Sequence, residues 1–375
     1  MKTHSTQPSG AQSHRRRIAV LRVGSLGDHL IALPLYRRLR ELHADDELSL
    51  VSNIPAQGNP KLIGPASILP EGLFDAILGY PVGSGLRQLW DTYRLFRGQH
   101  IDLLYYMMPA RSPRQLQRDR LFFRTCGVKV QGLSAKEATA AEAPRYLPDR
   151  QLYEHEMHRI ARAIPALADY GIPTARELSL ELSGAERAEC ANWFGSRRAR
   201  RTIAISLGTK LEVNRWGVDK WRQLVGRLAA DDAADRLLLI GSNDEAEESE
   251  IVRREWRRES FNLCGRLTLR QSAAAIASAQ LFVGHDSGPM HVAAAVEVPI
   301  VAVFSARNPP GMWFPLSQNC KVHYTRMDCM GCGRLRCDDL HKACIRDITV
   351  EAVYASCLRL QHQPPRLHVI GGQSI

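Results

Sequence analysis

No apolar run in this chain is long enough to cross a bilayer. The longest promising uncharged stretch, Gln271 to His285, falls short of the ~18–20 apolar residues a spanning helix needs. The marks of a nucleic-acid binder are absent as well. No zinc-finger spacing, RNP-type aromatic pattern or basic-leucine register accompanies the basic runs. The dinucleotide fingerprint G-x-G-x-x-G is missing, which argues against an NAD enzyme. Arg15-Arg16-Arg17 precede the apolar Ile18–Leu21, but Arg22, Asp28 and His29 break that run before any small-residue cleavage site. A secretory leader is therefore not expected.

What is present describes a soluble globular protein. Its 375 residues are 45% apolar, 24% charged and only 7% aromatic, too long for one ordinary core and suited to two domains. Nine cysteines in a chain this long do not form a secreted disulfide framework, so the expected compartment is the reducing cytoplasm. Lys+Arg 50 against Asp+Glu 39 leaves a net +11, which favours an anionic partner. A phosphate-bearing substrate or an acidic membrane surface fits better than nucleic acid. The basic runs are Arg15–Arg17, Arg197-Arg198 with Arg200-Arg201, and Arg111, Arg114, Arg118, Arg120 and Arg124.

The chain reads twice as strand, glycine loop, helix. Ile18–Val23 runs into Gly24-Ser25-Leu26-Gly27-Asp28, then into a helical pattern through Leu30, Leu33 and Leu39. Strand-like runs follow at Leu48–Val51 and Ile101–Met107, alternating with helical stretches at Leu86–Phe96 and Leu152–Ile164. A second series starts near Thr202. Ile203–Leu207 enters Gly208-Thr209-Lys210, Leu237–Ile240 enters the loop from Gly241 to Glu245, Leu281–Val283 enters Gly284-His285-Asp286-Ser287-Gly288, and Val298–Phe304 follows. Such alternation predicts an α/β fold of two doubly wound, Rossmann-like domains, with ligands beyond the carboxyl ends of the strands. The segment from Leu180 to Arg201 is the expected connection.

Two loops carry candidate chemistry. Asp28 at a helix start is either a capping carboxylate or a general base at the cleft edge. Asp286-Ser287-Gly288-Pro289-Met290-His291 pairs a strand end with a helix N-terminus, a ready phosphate site, and places His291 one turn in. The alternative is a plainly capped helix with an interior histidine.

These two loops, together with Gly208-Thr209-Lys210, Arg215-Trp216, Trp221 and Asn262–Leu269, resemble the lipopolysaccharide heptosyltransferases of glycosyltransferase family 9. The resemblance runs from about Ile18 to Leu358. It implies a GT-B architecture: residues 15–182 as an acceptor-binding Rossmann-like domain and 183–361 as a nucleotide-sugar domain, with tails at 1–14 and 362–375. It also implies an inverting, metal-independent transfer of heptose from ADP-heptose to a lipopolysaccharide core or related saccharide. Peripheral attachment to the cytoplasmic face of the inner membrane is the implied place of work. By this resemblance Asp28 is the base. Gly27, Gly208, Thr209, Lys210, Asn214, Arg215, Glu245, Asp286, Ser287, Gly288 and His291 line the donor, and Arg111, Arg114 and Arg118 lie toward an anionic glycolipid acceptor. Asn214 departs from the pattern, since the family usually has lysine two residues before the tryptophan. A GT-B sugar-nucleotide epimerase and a non-catalytic binding relative are the other readings.

A loop over 320–344 is rich in cysteine. Cys329, Cys332, Cys337 and Cys344 are spaced closely enough to converge on one structural zinc. Reduced buried thiols or disulfides are the alternatives, and no cysteine has a nucleophile-like neighbourhood.

Overall fold

Ile18-Ala19-Val20-Leu21 carries no side chain that seeks water, so as a strand it has to be covered on both faces. The computed structural model, which describes residues 15–53, 64, 67–81, 85–133, 143–193 and 201–361, covers it in that way. Strands β1 (Arg17–Leu21), β2 (Glu47–Ser52), β3 (Ala76–Gly79), β4 (Leu103–Tyr106) and β5 (Lys129–Gln131) form a parallel sheet in the order β3-β2-β1-β4-β5. Helices α1 (Leu26–Leu42), α2 (Leu86–Gly98) and α3 (Pro113–Cys126) follow β1, β3 and β4. A short antiparallel hairpin, β6 (Tyr146–Leu147) with β7 (Leu152–Tyr153), leads out of this half.

The second sheet repeats the plan with one strand more. β8 (Thr202–Ser206), β9 (Arg236–Leu239), β10 (Glu259–Asn262), β11 (Leu281–His285), β12 (Ile300–Val303) and β13 (Cys320–His323) are ordered β10-β9-β8-β11-β12-β13, every pair parallel. One apolar cluster is shared by the two halves. Leu33, Leu35 and Tyr36 of α1 belong to it, and so do Met290 and Ala293 of the helix Gly288–Ala295.

Two expectations change. Leu152–Ile164 is not one helix: Leu152-Tyr153 is a strand, and the helix is Glu156–Ala163. The backbone explains it, because Tyr153 N–H donates to the Pro310 carbonyl (2.8 Å) and Glu154 N–H to that of Arg145 (2.7 Å), leaving no donors for a helical turn. Cys320 belongs to strand β13 rather than to a loop. Within 180–201, Leu180 N–H donates to Ala295 O (2.9 Å) and a helix spans Gly184–Trp193. Arg197, Arg198 and Arg200, like both tails, lie outside the described residues.

Candidate active site

Strand order fixes where ligands go. In each sheet the winding reverses once, between β1 and β4 and between β8 and β11, and crevices open beyond the strand ends at such points. Asp28 lies at the first of these and Asp286 at the second.

At the first, β1 continues through Arg22 to Ser25 and turns into α1. Asp28 occupies the third helical position, where its Oδ2 accepts from Ser25 N–H (2.7 Å) and Ser25 Oγ (2.8 Å). Its Oδ1 accepts from Nη2 of Arg22 at 3.1 Å. The capping role weighed for Asp28 is therefore real, and it fixes the carboxylate in place. Gly24 makes the room: a Cβ there would lie 2.5 Å from Asp28 Cγ.

At the second, β11 ends in His285, Asp286 is half-buried, and Ser287 stands at the N-cap position of the helix Gly288–Ala295, its Oγ donating to the His285 carbonyl (3.4 Å). Pro289 in the first turn has no N–H to waste there. The first turns of the two helices touch across the halves. A Cβ on Gly27 would meet the His291 ring (Cδ2 2.8 Å, Nε2 3.3 Å), and one on Gly288 would meet Leu26 (Cδ2 3.1 Å). Gly27, Asp28, Asp286, Ser287, Gly288 and His291 thus share one mouth. Two helix N-termini, each with a partial positive charge, converge on it.

The electrostatics follow from burial. His291 is pulled down to about 4 by burial, against the nearby Asp28 carboxylate, so it is neutral at pH 7. Burial pushes the Asp286 carboxyl up to about 7, opposed by a hydrogen bond from Asn308 Nδ2 (3.2 Å) and by Arg307.

The ends of β8 and β9 form a second part of the site. Glu245 folds back so that Oε2 accepts from Ser242 N–H at 2.9 Å. Its carboxylate fills the space where a Cβ on Gly208 or Gly241 would be. Burial raises this carboxyl above the ordinary range. Thr209 is half-buried, its Oγ1 3.5 Å from Leu211 N, and Lys210 is exposed, with no ion pair among the described residues.

Asn214 turns inward, accepting from Ser305 Oγ at 2.6 Å. Arg215 reaches Glu248 at 2.8 Å on the surface. Arg111, Arg114 and Arg118 stand at the start of α3, on the sheet edge shared with Asp28. Arg118 pairs with Asp119 (2.7 Å), Arg111 lies 3.8 Å from the same carboxylate, and Arg114 is exposed.

The cysteines do not assemble as a metal centre. All nine are free thiols, and among the described residues no group of three or more His, Cys, Asp or Glu is placed to hold a metal ion. Cys344 shares a neighbourhood with Cys329, Cys332 and Cys337, whose charges add to burial in raising its thiol. The loop braces the site instead. Arg307 donates to the carbonyls of Arg334 (2.8 Å) and Gly333 (3.2 Å), and Gly331 N–H donates to Ala306 O (2.8 Å). Ser305 and Asn308, the partners of Asn214 and Asp286, flank those contacts.

Sequence reading passed over His285. Its Nε2 accepts from Trp216 N–H (3.0 Å) and its ring stands edge-on to Trp221 (5.1 Å), tying the 208–216 loop to β11. Burial holds it neutral, down to about 3. Its position between Gly284 and Asp286 was the available signal.

Two doubly wound domains whose switch points face each other across a cleft define the GT-B glycosyltransferase architecture. The profile of glycosyltransferase family 9 (heptosyltransferase) matches residues 120–342, and the chain belongs to that family. Lipopolysaccharide heptosyltransferase 2 of Escherichia coli K12 is 26% identical over 332 residues, covering 82% of this chain and 87% of that protein. Lipooligosaccharide heptosyltransferase 2 of Campylobacter jejuni (strain 81116) is 31% identical over 101 residues, and the match spans only 31% of its length. The solved structure of E. coli ADP-heptose lipopolysaccharide heptosyltransferase II superposes with a TM-score of 0.63 at 19% identity, over 92% of this chain and 98% of that one. No helix among the described residues is long and apolar enough to cross a membrane.

Proposed function

We propose that this protein moves heptose from ADP-heptose to a saccharide acceptor of the lipopolysaccharide core, in the cytoplasm, by inversion and without a catalytic metal. One observation carries the reading: Asp28 stands opposite the Asp286–His291 turn of the other domain. An acceptor hydroxyl attacks the anomeric carbon on the face opposite the diphosphate while Asp28 takes its proton. The new glycosidic bond forms as the bond from that carbon to the diphosphate oxygen breaks. Charge on the departing diphosphate is met by Lys210 and by the helix N-terminus at Ser287-Gly288. Glu245 offers an acceptor to the ribose hydroxyls. The braced positions of Asn214 and Arg215 support a role in shaping the donor loop rather than in supplying the missing lysine charge.

A thermal-shift panel with ADP, UDP, GDP and CMP tests the donor. ADP at 100 times its dissociation constant is expected to stabilise the fold by about 2.7 kcal/mol. Selective stabilisation by UDP or GDP would replace the donor, and no stabilisation by any of the four would sink the nucleotide reading. Transfer is expected to survive EDTA at full rate, and loss of activity that a divalent metal restores would refute metal independence.

Donor affinity also has an expected pH dependence. Ionised Asp286 repels a diphosphate, and it ionises as pH rises through about 7. Calorimetric ADP affinity in the wild type should therefore fall across that range relative to Asp286→Asn, the comparison that cancels the ionisation of ADP's own terminal phosphate.

An acceptor carried on lipid would bring the enzyme to a bilayer, and the outer face of α2 and α3 supports this. Leu86 (85% exposed), Leu89, Trp90 and Leu121 (64%) are open to solvent, among seven arginines and two aspartates on the two helices. Burying one such side chain fully is worth about 1.5–3 kcal/mol, and arginines favour an anionic surface. The protein is expected to co-sediment with phosphatidylglycerol vesicles and not with phosphatidylcholine vesicles. The triple change Leu86→Ser, Leu89→Ser, Trp90→Ser should release it, and unchanged binding would rule this face out.

A further inference from the structure

A ladder of alternating charge runs from Asp28 into the interior of the first domain. Arg22, Glu156 and Arg159 are 0%, 0% and 1% exposed. Arg22 reaches Asp28 with Nη2 (3.1 Å), donates from Nη1 to Met107 O (2.8 Å), and keeps Nη1 3.7 Å from Glu156 Oε1. Arg159 grips both oxygens of Glu156, at 2.6 and 2.7 Å, and donates to Met108 O at 3.0 Å. Buried ion pairs of this kind rarely out-stabilise apolar residues of the same volume. Their presence calls for a purpose other than stability.

Glu156 is also held from the other domain. Its N–H donates to Met312 O (2.9 Å), and the neighbouring His155 Nε2 donates to Phe314 O (2.9 Å). The contact is tight: Gly311 has φ +96°, and a Cβ there would be 2.5 Å from Tyr153 O. One residue therefore joins the 309–314 loop of the second domain to the arginine that orients Asp28.

We infer that Glu156 is a positioning residue for Asp28, acting through Arg22, and that docking of the 309–314 loop sets its place. The inference rests on the reading of Asp28 as proton acceptor. Arg22 lies between two carboxylates. With Glu156 offsetting its charge, it steadies one oxygen of Asp28 while Ser25 steadies the other. Without that offset, Arg22 draws Asp28 back from the cleft.

Full-length protein is to be assayed for transfer from ADP-heptose and titrated calorimetrically with ADP, which counts donor-competent sites. Glu156→Gln is expected to lower kcat per competent site about 10- to 100-fold, with the ADP Kd and the acceptor KM within about twofold of wild type. Glu156→Asp, which keeps the charge one methylene short, should fall between the two. Wild-type kcat per site in Glu156→Gln, or equal losses in the two variants, overturns the inference. If Glu156→Gln yields no competent sites, Glu156→Asp decides alone: a lowered kcat at unchanged KM supports the ladder, and an undiminished kcat overturns it. Asp28→Asn keeps the two ideas apart, because full kcat in that variant removes the base itself, whatever Glu156 does.

Discussion

Asp28→Asn is expected to reduce kcat for sugar transfer by about 10²- to 10⁴-fold, the range that a positioned general base supplies, while ADP binds as before. The amide keeps the volume of the carboxylate. Its oxygen can still accept from Arg22, but its NH₂ then faces Ser25 N–H and Oγ, which now donate to Oδ2. Two donors meeting there should also cost about 1 kcal/mol of helix-start stability. Measuring kcat per ADP-titrated site separates this structural loss from the chemical one. An undiminished rate per site would leave Asp28 as a capping residue only.

Gly208→Ala should produce the second large effect. The new methyl falls on the Glu245 carboxylate, so either the strand-end loop shifts or Glu245 leaves its seat. Overpacking of this kind costs about 1–3 kcal/mol, and ADP affinity should drop at least about tenfold, or roughly 1.4 kcal/mol. Glu245→Ala in the same background removes the clash. The double variant should recover its Tm and still bind ADP weakly. If it recovers affinity as well, Glu245 serves only to fill space and takes no part in donor binding.

The second half was legible because its elements announce themselves. Leu237–Ile240 and Val298–Phe304 are short apolar runs ending in glycine or polar loops, which only a buried parallel sheet accommodates. β10, Glu-Ser-Phe-Asn, was not legible, being half polar at a sheet edge. β13 was hidden inside a cysteine-rich segment. The turn at Asp286–His291 could be read from local spacing, since strand, cap and helix follow one another directly. Glu156 could not. Glu156 and Arg159, three apart on a helix, have the spacing of an exposed surface pair. Only the fold shows that residues from 22, 156 and 159 meet in a dry interior. Arg22 misled in the same way, reading as a break in an apolar run when it lies fully buried behind the site. The side chain of Asn214 is likewise spoken for by Ser305, a residue 91 positions away.

Gly27 and Gly288 have a consequence as a pair. Neither has a side chain, and across them the two halves come within van der Waals contact of His291 and Leu26. They act as the gauge of the cleft. The width of the gap between the Asp28 carboxylate and the Asp286–His291 turn is set by what these two positions lack. A methyl added at Gly27 would press on the His291 ring and one at Gly288 on Leu26, so each would act as a shim between the two halves. Graded volume there offers a mechanical dial on the distance between the two helix starts.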